Sequence, residues 1–205
     1  MTWLTQLTGD TRDVRVRRDL ADVQQMHRSV MALFPDVEPT TAREEMGVLY
    51  RSEPTAIESR IIVQSSAKPE ASPQGYRVVG TRQLDDLIDA LQAGSVVRYR
   101  LLANATQSTA VPGKRGKIRA LTGDAALQWW EQRSTQFGLV LPSEPTWSSQ
   151  KLSGKRGGGV IQIGATRFDG FAEVEDADLL RASVLKGVGR GKAYGCGLLS
   201  VAAVS

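Results

Sequence analysis

Apolar positions in the first half of the chain recur at spacings that predict alternating strands and helices. From residue 23 to residue 34 they follow the period of a helix, with Asp19 or Asp22 as a candidate N-cap and Pro35 closing the pattern. Elsewhere they alternate or form short runs typical of strands. The resulting order, β-α-β-β-α-β, is that of a ferredoxin-like domain. The predicted strands are residues 2–7, 46–50, 57–64 and 96–102, and the second helix is residues 84–91.

The second half predicts the same order with less regular strands. Asp176 is a candidate cap for the last helix, and Asp169-Gly170 predicts a tight turn between two strands. The two halves together predict an α+β protein of two tandem ferredoxin-like (RRM-like) βαββαβ domains, residues 1–103 and 104–205. The elements predicted after residue 103 are a weak strand at 117–121, a helix at 124–137, an irregular strand region starting at 139, strands at 160–168 and 171–174, a helix at 176–185 and a strand at 195–202.

Cysteine and histidine are too few for the common metal sites. Cys196 is the one cysteine and His27 the one histidine, so neither a disulfide framework nor a zinc cluster can form. A magnesium site built from carboxylates alone stays open, although the sequence requires no metal or other cofactor. The N-terminal sequence lacks a signal peptide, and no apolar run is long enough to span a membrane. A single thiol fits the reducing cytoplasm.

The cations are concentrated in the second half of the chain. Residues 1–100 hold 13 Lys and Arg against 14 Asp and Glu, whereas residues 101–205 hold 13 against 8. Ten of the 13 later cations fall in three short stretches, residues 114–119, 151–156 and 186–192. Such clusters are typical of a binding site for RNA or DNA, but they equally fit three solvated loops of a basic protein.

A glycine-rich segment, residues 187–199, lies between the last predicted helix and the last strand. Glycine allows the backbone to approach a ligand closely, and Arg190 and Lys192 add charge, so the segment predicts contact with phosphate groups. It is not a Walker loop, because Ala193 stands where Ser or Thr is needed. It is not a Rossmann fingerprint either, because it follows a helix rather than a strand. The alternative is a flexible turn before a core strand.

Four stretches of the chain, in a fixed order, are similar to one known family. They are Trp3-Leu4-Thr5-Gln6-Leu7, then Met26-His27-Arg28 through Leu33-Phe34-Pro35, then Tyr99-Arg100-Leu101-Leu102-Ala103-Asn104 followed by the Lys114-Arg115 loop, and finally Gly187-Val-Gly-Arg-Gly-Lys192-Ala-Tyr-Gly195-Cys-Gly197-Leu-Leu-Ser200. In these residues the chain resembles the CasE family, the repeat-cutting endoribonucleases of type I-E CRISPR systems. The resemblance spans essentially the whole chain.

The resemblance implies two tandem ferredoxin-like domains that bind a hairpin in precursor CRISPR RNA and cut it at its base without a metal ion. It also implies that the protein retains its product and joins the other subunits of a multisubunit CRISPR surveillance complex. One position departs from the family, which often has a tyrosine three residues before the histidine. That position is Gln24, whose amide cannot act as a phenolic acid. His27 would then work with a lysine or by positioning alone.

The chemistry of RNA cleavage suits a lone histidine. The RNA supplies its own nucleophile, the 2′-OH, so the enzyme has to move two protons and stabilise charge on the phosphate. The spacing of apolar residues alone favours a packed position for His27 in the core, whereas the resemblance assigns it the catalytic role. The products would be a 2′,3′-cyclic phosphate and a 5′-OH. The predicted RNA-binding residues are Arg28, Lys114, Arg115, Lys117, Arg119, Lys151, Lys155, Arg156, Arg190 and Lys192, with Gly187, Gly189, Gly191, Gly195 and Gly197 in the glycine-rich loop.

Two other functions stay open at this point. The chain could be an RNA-binding subunit that has lost its catalytic activity, as the departure at Gln24 suggests. It could also be a small-molecule enzyme or a regulatory domain whose cations only keep it soluble. Steep weakening of RNA binding with salt separates the last possibility from the others, because it reports phosphate contacts.

Overall fold

The computed structural model describes residues 1–35, 42–111 and 114–204. These residues form two antiparallel sheets, each with helices on one face, and a separate two-stranded ribbon. The architecture is therefore the mixed α and β one that the sequence predicts. No helix within the described ranges is both long and apolar enough to cross a membrane.

The first sheet and its helices are formed by residues 3–83. The elements are β1 (Trp3–Asp10), α1 (Val14–Ala21), α2 (Val23–Met31), α3 (Ala42–Glu45), β2 (Leu49–Pro54), β3 (Glu58–Ser65) and β4 (Arg77–Gln83). The strand order is β2-β3-β1-β4, with every neighbouring pair antiparallel. Leu7 and Ile61 of the sheet pack against Met26 of α2 in a continuous core. Asp22, one of the two predicted caps, accepts hydrogen bonds from the first amides of α2.

The fourth strand of this sheet differs from the prediction. The sequence places residues 96–102 there, after a helix, and this is wrong because β4 occupies the position before that helix. β4 is an edge strand exposed along nearly its whole length, so its sequence lacks the apolar alternation that marks a half-buried strand. Residues 96–103 belong to the second sheet, which moves the division between the two halves from residue 103 to a point before them.

The second half has the complete ferredoxin-like order. Its elements are α4 (Asp85–Asp89), β5 (Val96–Ala103), β6 (Thr106–Val111), β7 (Lys114–Ala120), α5 (Asp124–Glu131), β8 (Leu139–Val140), β9 (Thr146–Arg156), β10 (Gly159–Val174), α6 (Ala177–Lys186) and β11 (Leu199–Ala203). The sheet order is β11-β5-β10-β8, and β9 pairs with the first part of β10, before the two residues that pair with β8. Trp130 of α5 and Phe168 of β10 are fully buried in the core between the sheet and the helices. Asp176 caps α6 as predicted.

Strands β9 and β10 form one long hairpin. β10 runs without a break through Asp169 and Gly170, which pair with β5, so the predicted turn at these residues is wrong. The chain turns instead at Gly157 and Gly158, both of which have positive φ angles. β6 and β7 form a second ribbon, to which the weak strand predicted at residues 117–121 belongs. Both hairpins carry predicted RNA-binding cations.

Polar side chains hold the two sheets together. Arg51 of β2 is almost fully buried, and its Nη1 donates hydrogen bonds to the Leu198 carbonyl at 3.2 Å and to Ser200 Oγ at 3.1 Å. Gln64 Nε2 of β3 donates to the Val184 carbonyl at 2.8 Å. Buried donors with satisfied geometry fix the relative position of the elements that they join. These hydrogen bonds therefore fix the position of the first half relative to the second.

Candidate active site

A cleft of about 590 Å³ opens where α2 meets the second half of the molecule. Gln24, His27, Arg28 and Met31 share one face of α2, because residues three and four positions apart are neighbours on a helix. All four line the cleft. The other lining residues are Arg43, Glu44, Arg156, Ala193 and Tyr194.

His27 is half-buried in this cleft, and its environment favours the neutral imidazole. Burial is the largest cause of a lowered pKa for His27, and the positive charges of Arg43, Arg156 and Arg28 lower the pKa further. Nδ1 is buried and has no hydrogen-bond partner among the described residues. A neutral imidazole keeps one ring nitrogen without a proton, and this nitrogen can accept a proton from a bound substrate.

The tip of the β9–β10 hairpin brings Arg156 to His27. Gly154 lies against the start of α2 so closely that a Cβ atom there would be 2.6 Å from Asp22 Oδ1. The Lys155 amide donates to Asp22 Oδ2 at 3.3 Å. Asp22 is also the N-cap of α2, so one carboxylate positions both the histidine helix and the hairpin.

The glycine-rich segment forms another wall of the cleft. All five of its glycines have positive φ angles. Gly197, at φ +90°, is also packed so tightly that a Cβ would be 2.8 Å from the Val188 carbonyl oxygen. These bends place a 3₁₀ turn, Lys192–Tyr194, beside α2, with Ala193 and Tyr194 lining the cleft. The glycines therefore have a conformational role, whatever they contact in RNA.

The two cations of this segment do not line the cleft. Lys192 Nζ donates to the Lys186 carbonyl at 2.6 Å, and burial together with the charge of Arg43 lowers the pKa of its ammonium. Arg190 forms an isolated β-bridge with Asn104 and is exposed. Their predicted contact with RNA phosphates stays a prediction.

The remaining predicted cations lie on the two hairpins. Lys117 and Arg119 of β7 are exposed, as are Lys151 and Lys155 of β9. The hairpins touch each other, because a Cβ at Gly164 of β10 would contact Ala120 at the end of β7. The side chains of Lys114 and Arg115 lie outside the described part of the structure. The basic stretch at residues 151–156 is therefore part of a paired strand, and its two lysines face solvent.

A second cleft of about 600 Å³ is lined by residues of the second half together with Arg51 of β2, and two of its arginines are already paired with carboxylates. Its Arg100 is paired with Asp169 and, at 3.1 Å, with Glu53. Arg51 is paired with the same Glu53 at 2.8 Å. At the His27 cleft, by contrast, Arg28 makes no ion pair with any residue that the structure describes. Its charge is available to an anionic ligand.

Comparison with known proteins identifies the family. The chain matches the family model described as CRISPR associated protein over residues 2–203. The chain belongs to this family. It is 32% identical to the CRISPR-associated endoribonuclease Cse3 of Thermus thermophilus, over 98% of this chain and 99% of that protein. It is 30% identical to the CRISPR system Cascade subunit CasE of Escherichia coli, over 88% of this chain and 92% of that protein. The CasE resemblance is confirmed.

Solved structures of this CRISPR-associated family share the fold. A Cse3 endoribonuclease bound to a 19-nucleotide RNA aligns with a TM-score of 0.79 at 29% identity, over 98% of this chain and 100% of the other. Thermus thermophilus Cse3 bound to an RNA representing a pre-cleavage complex aligns with the same TM-score at 31% identity, over 98% of each chain. The predicted pair of ferredoxin-like domains is confirmed.

Two cleft residues of this family member were missed by the sequence analysis. Arg43 comes from the short helix α3, outside the three basic stretches, and its charge has the largest effect on His27 after burial. Tyr194 stands inside the glycine-rich segment, between glycines and cations that carry the pattern of a phosphate-binding loop. Neither residue carries a local pattern that predicts its place, because both are brought to His27 only by packing between distant elements.

Proposed function

We propose that this CRISPR-associated protein binds the repeat hairpin of precursor CRISPR RNA and cuts it at its base, using the RNA 2′-OH as the nucleophile. The observation that carries the proposal is one half-buried imidazole surrounded by three arginines in a single cleft. The relatives named as CRISPR endoribonucleases, one of them seen with an RNA representing a pre-cleavage complex, support it. The products are a guide RNA ending in a 2′,3′-cyclic phosphate and a fragment beginning with a 5′-OH.

His27 and the arginines have separate tasks in this reaction. The neutral imidazole takes the proton of the 2′-OH as the O2′–P bond forms. Arg28, Arg43 and Arg156 stabilise the extra negative charge on the phosphate, because guanidinium groups are always protonated and donate in fixed directions. The described residues include no group of three His, Cys, Asp or Glu side chains placed to hold a metal ion.

The hairpin strands β7 and β9 supply the RNA-binding surface. The exposed cations of these strands are Lys117, Arg119, Lys151 and Lys155, and β9 ends at Arg156, which lines the cleft. An RNA stem is recognised mostly through its shape, phosphates and 2′-OH groups, which suits cations on rigid strands. We include Lys114 and Arg115, Arg190 and Lys192, and the amides of the five glycines in this surface as further phosphate contacts.

The protein acts inside a larger assembly in this proposal. One relative is named a subunit of Cascade, and a chain in a CRISPR RNA-guided surveillance complex aligns over 98% of this one with a TM-score of 0.74 at 32% identity. We place the protein in the cytoplasm with the other subunits of such a complex, where its single buried cysteine stays reduced.

The second candidate function is an inactive RNA-binding subunit. Gln24 favours it, because an amide cannot transfer a proton. A modified substrate distinguishes this candidate from the proposed reaction. The protein is incubated in EDTA with repeat RNA that carries either a ribose or a 2′-deoxyribose just before the scissile phosphate. We expect single-turnover cutting of the ribose RNA only, with a cyclic phosphate at the new end. Equal cutting of both RNAs would refute 2′-OH attack, and tight binding without cutting would favour the inactive subunit.

The pH dependence follows from the lowered pKa of His27. As the base, His27 must be neutral, so cutting is lost as the pH falls through its pKa, which lies below the ordinary 6.5. With the protein below saturation, the cutting rate reports the ionisation of the free enzyme. We expect a plot of this rate against pH to inflect below pH 6.5. Arg43→Gln removes one cation beside the imidazole and should move the inflection upwards. An inflection above pH 6.5 in the unaltered protein would contradict the base role.

A further inference from the structure

Cutting RNA by 2′-OH attack requires two proton transfers, and the cleft holds one imidazole. Its three arginines, Arg28, Arg43 and Arg156, stay protonated at any working pH and cannot donate a proton. Gln24 carries an amide. Glu44 carries a carboxylate that is 82% exposed and accepts from Arg43 Nη2 at 2.8 Å. None of these groups provides a proton to the leaving oxygen.

Tyr194 carries the remaining transferable proton among the described residues that line the cleft. It ends the 3₁₀ turn of the glycine-rich segment, between the left-handed residues Gly191 and Gly195. The Tyr194 amide donates to the Gly191 carbonyl at 2.8 Å, and Tyr50 Oη donates to the Ala193 carbonyl at 2.9 Å. The backbone that carries the phenol is therefore fixed on both sides.

The ring of Tyr194 is fixed as well. It is partly buried and packs against a small cluster that contains Leu102 of β5, Ile163 of β10 and the fully buried Cys196. A phenol held by packing on one side and open to the cleft on the other loses little conformational entropy when substrate binds. Tyr194 therefore lines the same cleft as His27 while its ring packs against the second half of the molecule.

We propose that Tyr194 is the general acid of the cutting reaction, donating its phenolic proton to the departing O5′ while His27 accepts the proton of the 2′-OH. This inference rests on the proposed function. The O2′–P bond forms and the P–O5′ bond breaks, and the proton from Tyr194 completes the new 5′-OH. The imidazolium and the phenolate then return to their starting forms by exchanging protons with water.

The test compares leaving groups. Single-turnover cutting is measured for the unaltered protein and Tyr194→Phe on repeat RNA with oxygen or sulfur at the bridging 5′ position. A thiolate leaves without a proton, so loss of the acid matters only for oxygen. We expect Tyr194→Phe to cut the oxygen RNA about 100-fold more slowly and the sulfur RNA within about threefold of the unaltered protein. Its RNA affinity should change less than about twofold, because the phenol gives up only a proton.

Two results would overturn the assignment, namely equal slowing on both RNAs and no slowing on either. Tyr76→Phe, which removes a phenolic hydroxyl from the core of the first half, is the matched control and should cut both RNAs normally. His27→Ala separates this inference from the proposed function. The base is needed to cut both RNAs. His27→Ala should therefore fail on both, even if Tyr194 is not the acid. Normal cutting by His27→Ala would instead reject the proposed function.

Discussion

Replacing His27 with alanine should abolish cutting of the repeat hairpin while leaving RNA binding nearly intact. Loss of a general base typically lowers the rate by about 10²–10⁴-fold. Affinity for RNA comes mainly from cations that meet phosphates, and a neutral imidazole contributes little to it. Single-turnover rates and equilibrium binding, measured on the same repeat RNA at the same salt concentration, give the two quantities. We expect a dissociation constant within about twofold of the unaltered protein.

The matched control for His27→Ala lies two residues away on the same helix. Gln25 is partly exposed but does not line the cleft, so Gln25→Ala should bind and cut like the unaltered protein. Thermal melting of both variants shows whether α2 remains folded. The base role would be refuted by an alanine variant that cuts at the normal rate, and a folded variant that no longer binds RNA would reassign His27 to binding.

Replacing Gly154 with alanine should reduce cutting by at least about tenfold, although the added methyl group contacts no reacting group. The added Cβ would lie 2.6 Å from Asp22 Oδ1 and 3.1 Å from the Val23 amide nitrogen, so the hairpin must move away from α2. Arg156, two residues further along, moves with it. A displacement of about 1 Å at a catalytic group can cost 100-fold in rate. Single-turnover cutting by Gly154→Ala measures the loss.

Gly159 provides the matched control for this experiment. It lies in the same hairpin, and a Cβ there meets only the Arg156 carbonyl oxygen at an ordinary 3.4 Å. Gly159→Ala should therefore cut normally and melt at the usual temperature. If Gly154→Ala and Gly159→Ala cut equally well, the contact between the hairpin and α2 does not position Arg156. If both fail, the hairpin tip itself has a role that does not depend on α2.

The parts of the fold that were predictable are those in which local pattern and final packing agree. Helix α2 follows its apolar spacing and is capped by Asp22, as its sequence indicates. The turn predicted at Asp169-Gly170 failed because tertiary contacts override a turn dipeptide. A Cβ at Gly170 would lie 3.2 Å from Tyr99 Oη, so this glycine permits close approach within a strand. β4 was missed because an exposed edge strand has no apolar pattern to read.

The site was predictable only in part. His27 and Arg28 came from a family resemblance, and Arg156 from a cluster of cations. That Arg156 reaches His27 depends on the length of the β9–β10 hairpin and on the contact at Gly154, neither of which has a sequence signature. Arg43 and Tyr194 could be placed only from the three-dimensional structure, because each lies far from His27 in sequence and reaches it through packing between separate elements.

The burial of Cys196 has a practical consequence. The thiol is fully buried between two glycines, and burial raises its pKa to about 12, so it carries almost no thiolate at neutral pH. Alkylating dyes will leave the folded protein unmodified. A cysteine introduced on an exposed strand such as β7 will therefore be the sole reactive thiol. Site-specific fluorescent labelling can then follow hairpin RNA arriving and leaving in real time, without first removing a native residue.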